Sequence, residues 1–201
     1  MDTETSDKNF SVSDQEEMSQ QSELVQTVAA VGLLLALTIA SGYLPSIKTG
    51  VIRIGLDFVP LMIAVFLVKW YWVTFIAVIG DIVKYFLINS AFGAFNPGIT
   101  LSSVTFYLIW SILLCSALNQ NWRFSRKTVV EIVIASILST VISNVFISTW
   151  ALAWQQGKSW LLLLPARLPS EGVKVILYIV FGLAIAEIIS KFKEYRNSRD
   201  Y

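Results

Sequence analysis

The chain contains no histidine and only one cysteine among its 201 residues. The first absence excludes Ser-His-Asp and Cys-His catalysis, the His-Glu-x-x-His zinc motif and histidine proton relays. The second leaves Cys115 without an intrachain disulfide partner and rules out a cysteine metal cluster. Charge is sparse as well, at 14% of residues against roughly 25% in an ordinary soluble domain. Basic and acidic side chains nearly cancel, to +1, and the basic ones sit in short groups at the ends of apolar segments. Nucleic-acid binding therefore has no electrostatic footprint. Also missing are a Walker G-x-x-x-x-G-K-[ST] sequence, a G-x-S-x-G elbow, an internal repeat and any Gly/Ser-rich or Pro-rich linker.

What is present is apolar: 55% hydrophobic and 13% aromatic residues, with a mean hydropathy of +0.65. That composition belongs to a membrane protein. A helix needs about 20 mostly apolar residues to cross a hydrocarbon core of about 30 Å, and six candidates follow one another. They cover residues 24–44, closed by Pro45, then 58–70, 71–90, 100–118, 127–154 and 169–189. The second is too short to span unless "VIRIGLD" adds to it, and the join at "KWYWV" carries no turn residue. The expected fold class is an all-α membrane protein of six transmembrane helices. Residues 1–22, acidic and polar with little to bury, are expected to form a disordered tail. They lack the basic start and apolar core of a signal peptide. Residues 23–192 form the transmembrane domain and 193–201 a basic tail.

Lysine and arginine near the helix ends set the orientation. An even number of spans puts both termini on one side, together with Lys69, the Arg123, Arg126, Lys127 group, and Lys191, Lys193, Arg196 and Arg199. Lys48, Arg53, Lys158, Arg167 and Lys174 fall on the other side. The expectation is a multi-pass protein of the cell membrane with both termini cytoplasmic.

The polar residues that interrupt the apolar runs are the candidates for chemistry. Arg167, in "LLLLPARLPSEGVKV", lies between Pro165 and Pro169, which suggests a fixed loop or the start of the sixth helix. Its planar fork of donors suits a carboxylate. Snorkelling to the interface is the alternative for both Arg167 and Lys174. Asp81 and Lys84 lie three apart within the third helix, acid first, which permits a structural ion pair. "AFGAFNPGITLSS" reads as a loop followed by a capped helix, where Asn96 offers donors and acceptors, Phe92 and Phe95 flat rings, and Thr100 a hydroxyl. Arg53 and Asp57 are four apart with the base first, the weaker order for a helical pair. All these groups map to the outer half of the membrane domain, which suggests a ligand pocket open to the outside. Gly32, Ala36 and Ala40 make a flat stripe on the first helix, open to intramolecular packing or to docking by another protein.

Four segments, "VIRIGLDFVP", "AVIGDIVKYF", "FNPGITLSS" and "LLPARLPSEGVK", give the chain a resemblance to the substrate-binding S components of energy-coupling factor (ECF) vitamin transporters, most closely the folate family. The resemblance covers about residues 24–190. It implies an S-component-like bundle that captures folate or a related carboxylated vitamin outside the cell. It also implies partners: a membrane coupling subunit and two cytoplasmic ATPases that hydrolyse ATP, with no cofactor and no enzyme activity in this chain. Arg53 and Arg167 are then expected to hold carboxylates or ring acceptors, with Phe95, Asn96, Thr100 and Trp154 in support. Gly32, Ala36 and Ala40 become the docking surface for the coupling subunit. Lys84 and Tyr85, and the scarcity of glycine in "SSVTFYLIW", depart from the family pattern and leave pantothenate or another vitamin open as substrate. Two other classes stand beside this one. An intramembrane enzyme using Asp81, Glu171 and Ser102 or Ser103 would lack a histidine and paired aspartates. A structural membrane protein would use the small-residue stripe with no small ligand.

Overall fold

In lipid every peptide group must find its hydrogen bond within the protein, so a chain this apolar is driven to helices. The computed structural model describes residues 3–43, 47–49, 52–54, 57–89, 95–115 and 122–198. Helix α1 spans Thr3–Ser41, and strands β1 (Ile47–Thr49) and β2 (Ile52–Ile54) form an antiparallel hairpin. Helices α2 (Val59–Leu67), α3 (Trp70–Lys84) and α4 (Pro97–Leu113) follow. Then α5 (Arg126–Ser139), α6 (Thr149–Gln156) and α7 (Trp160–Asn197) complete the bundle. Among the described residues two stretches are wound as π-helix: Tyr85–Asn89 extends α3, and Thr140–Ser148 joins α5 to α6 into one continuous rod. Among the same residues four helical stretches, Gln20–Ser41, Trp70–Leu87, Arg126–Gln156 and Trp160–Arg196, are long and apolar enough to cross a membrane, and Pro97–Leu113 is a shorter apolar helix. The chain is a multi-pass membrane protein.

At nine residues α2 is about 14 Å long, less than half the hydrocarbon thickness. It is buried at the centre instead, against α1, α3, α4 and α7. Its Met62, Ala64, Val65 and Phe66 meet Val73, Ile76 and Ala77 of α3 in a core shared with Trp110 of α4, Ile132 and Ala135 of α5, and Ala186 of α7. The indole of Trp110 donates to Ser139 Oγ at 3.0 Å, so its one polar atom is met inside that core.

Several expected boundaries move, each for a physical reason. Ile52–Ile54, within "VIRIGLD", form a strand rather than helix, with Lys48 opposite Arg53 in the ladder. The α2–α3 break falls at Val68 and Lys69, both extended, without any glycine or proline to announce it. Helix α1 begins at Thr3, within the acidic N-terminal segment. No glycine or proline lies between Thr3 and Val31, so the apolar part nucleates a helix that propagates backwards one hydrogen bond at a time. The last helix starts at Trp160, contains both Pro165 and Pro169, and runs past residue 193 to Asn197. Membrane helices tolerate such prolines because neighbouring groups satisfy the carbonyls they leave free. Pro45 lies outside the described residues.

The basic groups at the two termini of α5 and α7 come together. Arg123 pairs with Glu194 at 3.6 Å, the Phe124 N–H donates to Ser190 Oγ at 2.9 Å, and Lys193 lies 5.8 Å above the Trp122 ring. The hairpin, the start of α4 and the α6–α7 turn form the opposite end.

Candidate ligand-binding site

Nine residues of π-helix between α5 and α6 alter which side chains face α7. In "SNVFIST" the polar residues recur at a spacing of five, Ser143 with Ser148 and Asn144 with Thr149, which matches the wider π winding. Thr149 Oγ1 donates to the Asn144 carbonyl at 3.1 Å, also five residues back. Two polar clamps hang on this segment. Ser102 of α4 donates to the Ser143 carbonyl at 2.9 Å, and Ser143 Oγ donates in return to the Ser102 carbonyl. Ser148 and Thr149 accept from Arg167, described below.

On α7 the residues Arg167, Glu171, Lys174 and Tyr178 stand at i, i+4, i+7 and i+11, one stripe along the helix. Arg167 is therefore a helical residue and not part of a loop. Only 9% of it is exposed, and only 2% of Glu171. Its Nη1 donates to Thr149 Oγ1 and its Nη2 to Ser148 Oγ, each at 3.2 Å. Nη2 also lies 3.5 Å from Glu171 Oε1. The same Oε1 accepts from Lys174 Nζ at 2.8 Å. Two polar atoms of this cluster are buried and unmatched: Arg167 Nε and Glu171 Oε2. Leaving such groups unpaired costs roughly 1–3 kcal/mol each. Two cations and one anion leave the cluster with one positive charge. Towards the centre of the bundle it gives way to an aromatic floor, where Tyr178 meets Phe58 edge-on at 5.0 Å and Phe106 at 4.8 Å between ring centroids.

Asn96 caps α4. Its Oδ1 accepts from the Gly98 N–H at 2.9 Å, while Nδ2 donates to the Ala151 carbonyl at 2.9 Å and to Gln155 Oε1 at 3.0 Å. A Cβ on Gly98 would come within 2.6 Å of the Ala151 Cβ, so only glycine lets α4 approach α6 this closely. Thr100 is half-buried on the first turn of α4. Phe95 is exposed, its ring 5.1 Å from that of Tyr85. Trp154 is 73% exposed on α6. Arg53 is fixed by its backbone in β2, which lies against α7; its side chain and Phe92 are outside the described residues. The expected Asp81–Lys84 pair forms at 3.4 Å.

The structure thus brings Arg167 together with Ser148, Thr149, Glu171 and Lys174, and puts Asn96 to work tying α4 to α6. The spacing-five polar pattern was the sequence signal for Ser148 and Thr149. Gly32, Ala36 and Ala40 all lie exposed along α1.

No protein-family model matches the chain, and no curated protein sequence does. Solved structures do. A crystal structure of FolT bound with folic acid superposes with a TM-score of 0.66 at 18% identity, over 80% of this chain and 92% of the other. The S-component for biotin from an ECF-type ABC transporter superposes with a TM-score of 0.65 at 17% identity, over 86% and 93%. The chain has the S-component fold.

Proposed function

We infer that this chain is the substrate-binding S component of an ECF-type transporter, taking folate or a related carboxylated vitamin at the hairpin end of the bundle. The observation that carries the reading is the buried, singly positive Arg167–Glu171–Lys174 cluster above an aromatic floor, set within an S-component fold. The cluster suits a ligand that brings a carboxylate or ring acceptor, and the floor of Phe58, Phe106 and Tyr178 suits a flat heterocycle. We assign supporting contacts to Phe95, Thr100 and Trp154 and, from its sequence position, to Arg53. The chain itself is not an enzyme: a membrane coupling subunit and two cytoplasmic ATPases supply the driving force. The transmembrane domain covers residues 23–192, and the basic residues gathered around Arg123 and Lys193 support cytoplasmic termini. The near-equal likeness to a biotin-binding S component places biotin beside folate among the ligands to test.

The test is equilibrium binding of labelled folate, biotin and pantothenate to the purified full-length protein in lipid nanodiscs. Saturable binding of one of them is expected, weakened about 10- to 100-fold by Arg167→Ala. Absence of binding by all three vitamins would sink the reading. Undiminished affinity in the Arg167→Ala protein would remove that residue from the site.

A further inference from the structure

Arg167 has five N–H donors, and its two terminal nitrogens are already held by Thr149, Ser148 and Glu171. A bidentate grip on a carboxylate needs two parallel donors of that fork. Of its three nitrogens, the one with no partner is the inner Nε. Next to it Glu171 spends Oε1 on both Arg167 and Lys174 and leaves Oε2 unmatched. One unmet donor and one unmet acceptor therefore stand on adjacent turns of α7, within an ion pair whose closest atoms are 3.5 Å apart. That pattern is not the complement of a carboxylate, which brings acceptors only.

The geometry points to Glu171 and Arg167 as a joint reader of a cyclic amide or urea edge, a ligand group that presents an N–H beside a C=O. The ligand N–H donates to Glu171 Oε2, and the ligand C=O accepts from Arg167 Nε. Both atoms are closed off from solvent, so the edge enters as the Arg167 and Glu171 side chains part. Lys174, whose side chain is 17% exposed against 3% for Glu171, is the outermost charge and the one left for an acidic tail. A carboxylic acid lacking such an edge leaves Nε and Oε2 unmet and binds more weakly. The assignment rests on the proposed vitamin-binding role but adds a residue, Glu171, and a ligand chemistry to it.

Two ligand pairs test it on the full-length protein in nanodiscs: biotin against lipoate, and folate against p-aminobenzoylglutamate. Each pair shares an acidic tail, and only the first member carries the cyclic edge. The wild-type protein is expected to prefer the edge-bearing member of at least one pair by about 10-fold or more, as expected for hydrogen bonds to charged groups. Glu171→Gln removes the anionic acceptor while keeping the side chain's shape. It is expected to reduce that preference about tenfold or more, mainly by weakening the edge-bearing ligand. The ratio is taken within one preparation, so partial misfolding of the variant does not mimic the result. A preference unchanged in Glu171→Gln, or a wild-type protein that binds the edge-free acids as well, would overturn the assignment while leaving vitamin binding intact. A wild-type protein that binds none of the four removes the function reading and this assignment with it.

Discussion

Asn96, read from the sequence as a ligand contact, also fastens one helix to another. The sequence offers a polar residue with two aromatic neighbours in a turn, and nothing in it reveals that Ala151 and Gln155, more than fifty positions away, take both amide hydrogens. The substitution Asn96→Ala removes the cap of α4 and leaves the buried Ala151 carbonyl without this donor, a loss of about 2–3 kcal/mol. Asn96→Asp keeps a capping oxygen but loses the donors, and brings a carboxylate to the Ala151 carbonyl. Thermal unfolding in detergent is expected to rank the proteins wild type, then the two variants, with Asp no better than Ala despite its cap. An Asp variant as stable as wild type would show that the contact to α6 contributes nothing. Arg167 was legible as a candidate ligand contact through its fork of donors, but its burial within α7 was not. Its anchors were less visible, since Ser148 and Thr149 look like ordinary helix residues until the π winding turns them towards α7.

The crossing of α1 and α3 is set by Gly80. A Cβ there would lie 2.9 Å from Thr38 Cγ2. That methyl group has little freedom to yield, because Thr38 Oγ1 donates to the Leu34 carbonyl at 2.7 Å and the residue is fully buried. Gly80→Ala is therefore expected to destabilise the isolated protein by about 1–2 kcal/mol through overpacking. Thr38→Ala in the same chain vacates the space and should restore part of the loss, a coupling that a double-mutant cycle on detergent-solubilised protein measures. Purely additive effects would mean that the two helices are not in this contact. The same element scale shows why some boundaries were legible and others were not. Long apolar stretches announce the rods through the hydrocarbon thickness they must cross. The Val68–Lys69 break has no sequence mark, because burial of α2 on all sides and the extended backbone at two ordinary residues produce it. Pro165 and Pro169 mislead in the opposite direction, since a rule learned from soluble helices treats them as breakers. The strand within "VIRIGLD" was hidden by an apolar run that fits a short strand as well as a helix.

At the scale of the whole molecule, α1 separates two roles by its faces. Val31, Leu34, Thr38 and Ser41 are buried against the bundle, whereas Gly32, Ala36 and Ala40 face outward. A Cβ on Gly32 would meet no atom of the described residues within 4 Å, so the small size of that residue serves no packing among them. In lipid, where apolar side chains gain nothing by meeting one another, a flat outward stripe is useful for close approach of another helix. On the proposed function that helix belongs to the coupling subunit, and the ligand cluster on α7 is independent of it. Ala36→Trp and Ala40→Trp are therefore expected to leave vitamin binding by the isolated protein within about twofold, since surface changes away from packed sites usually cost under about 0.5 kcal/mol. Co-expressed with its coupling subunit and ATPases, the same variants are expected to lose uptake and to fail to co-purify with them. Uptake that survives both tryptophans would mean that the partner docks elsewhere. Loss of ligand binding by the isolated variants would instead give the stripe a part in holding the bundle together.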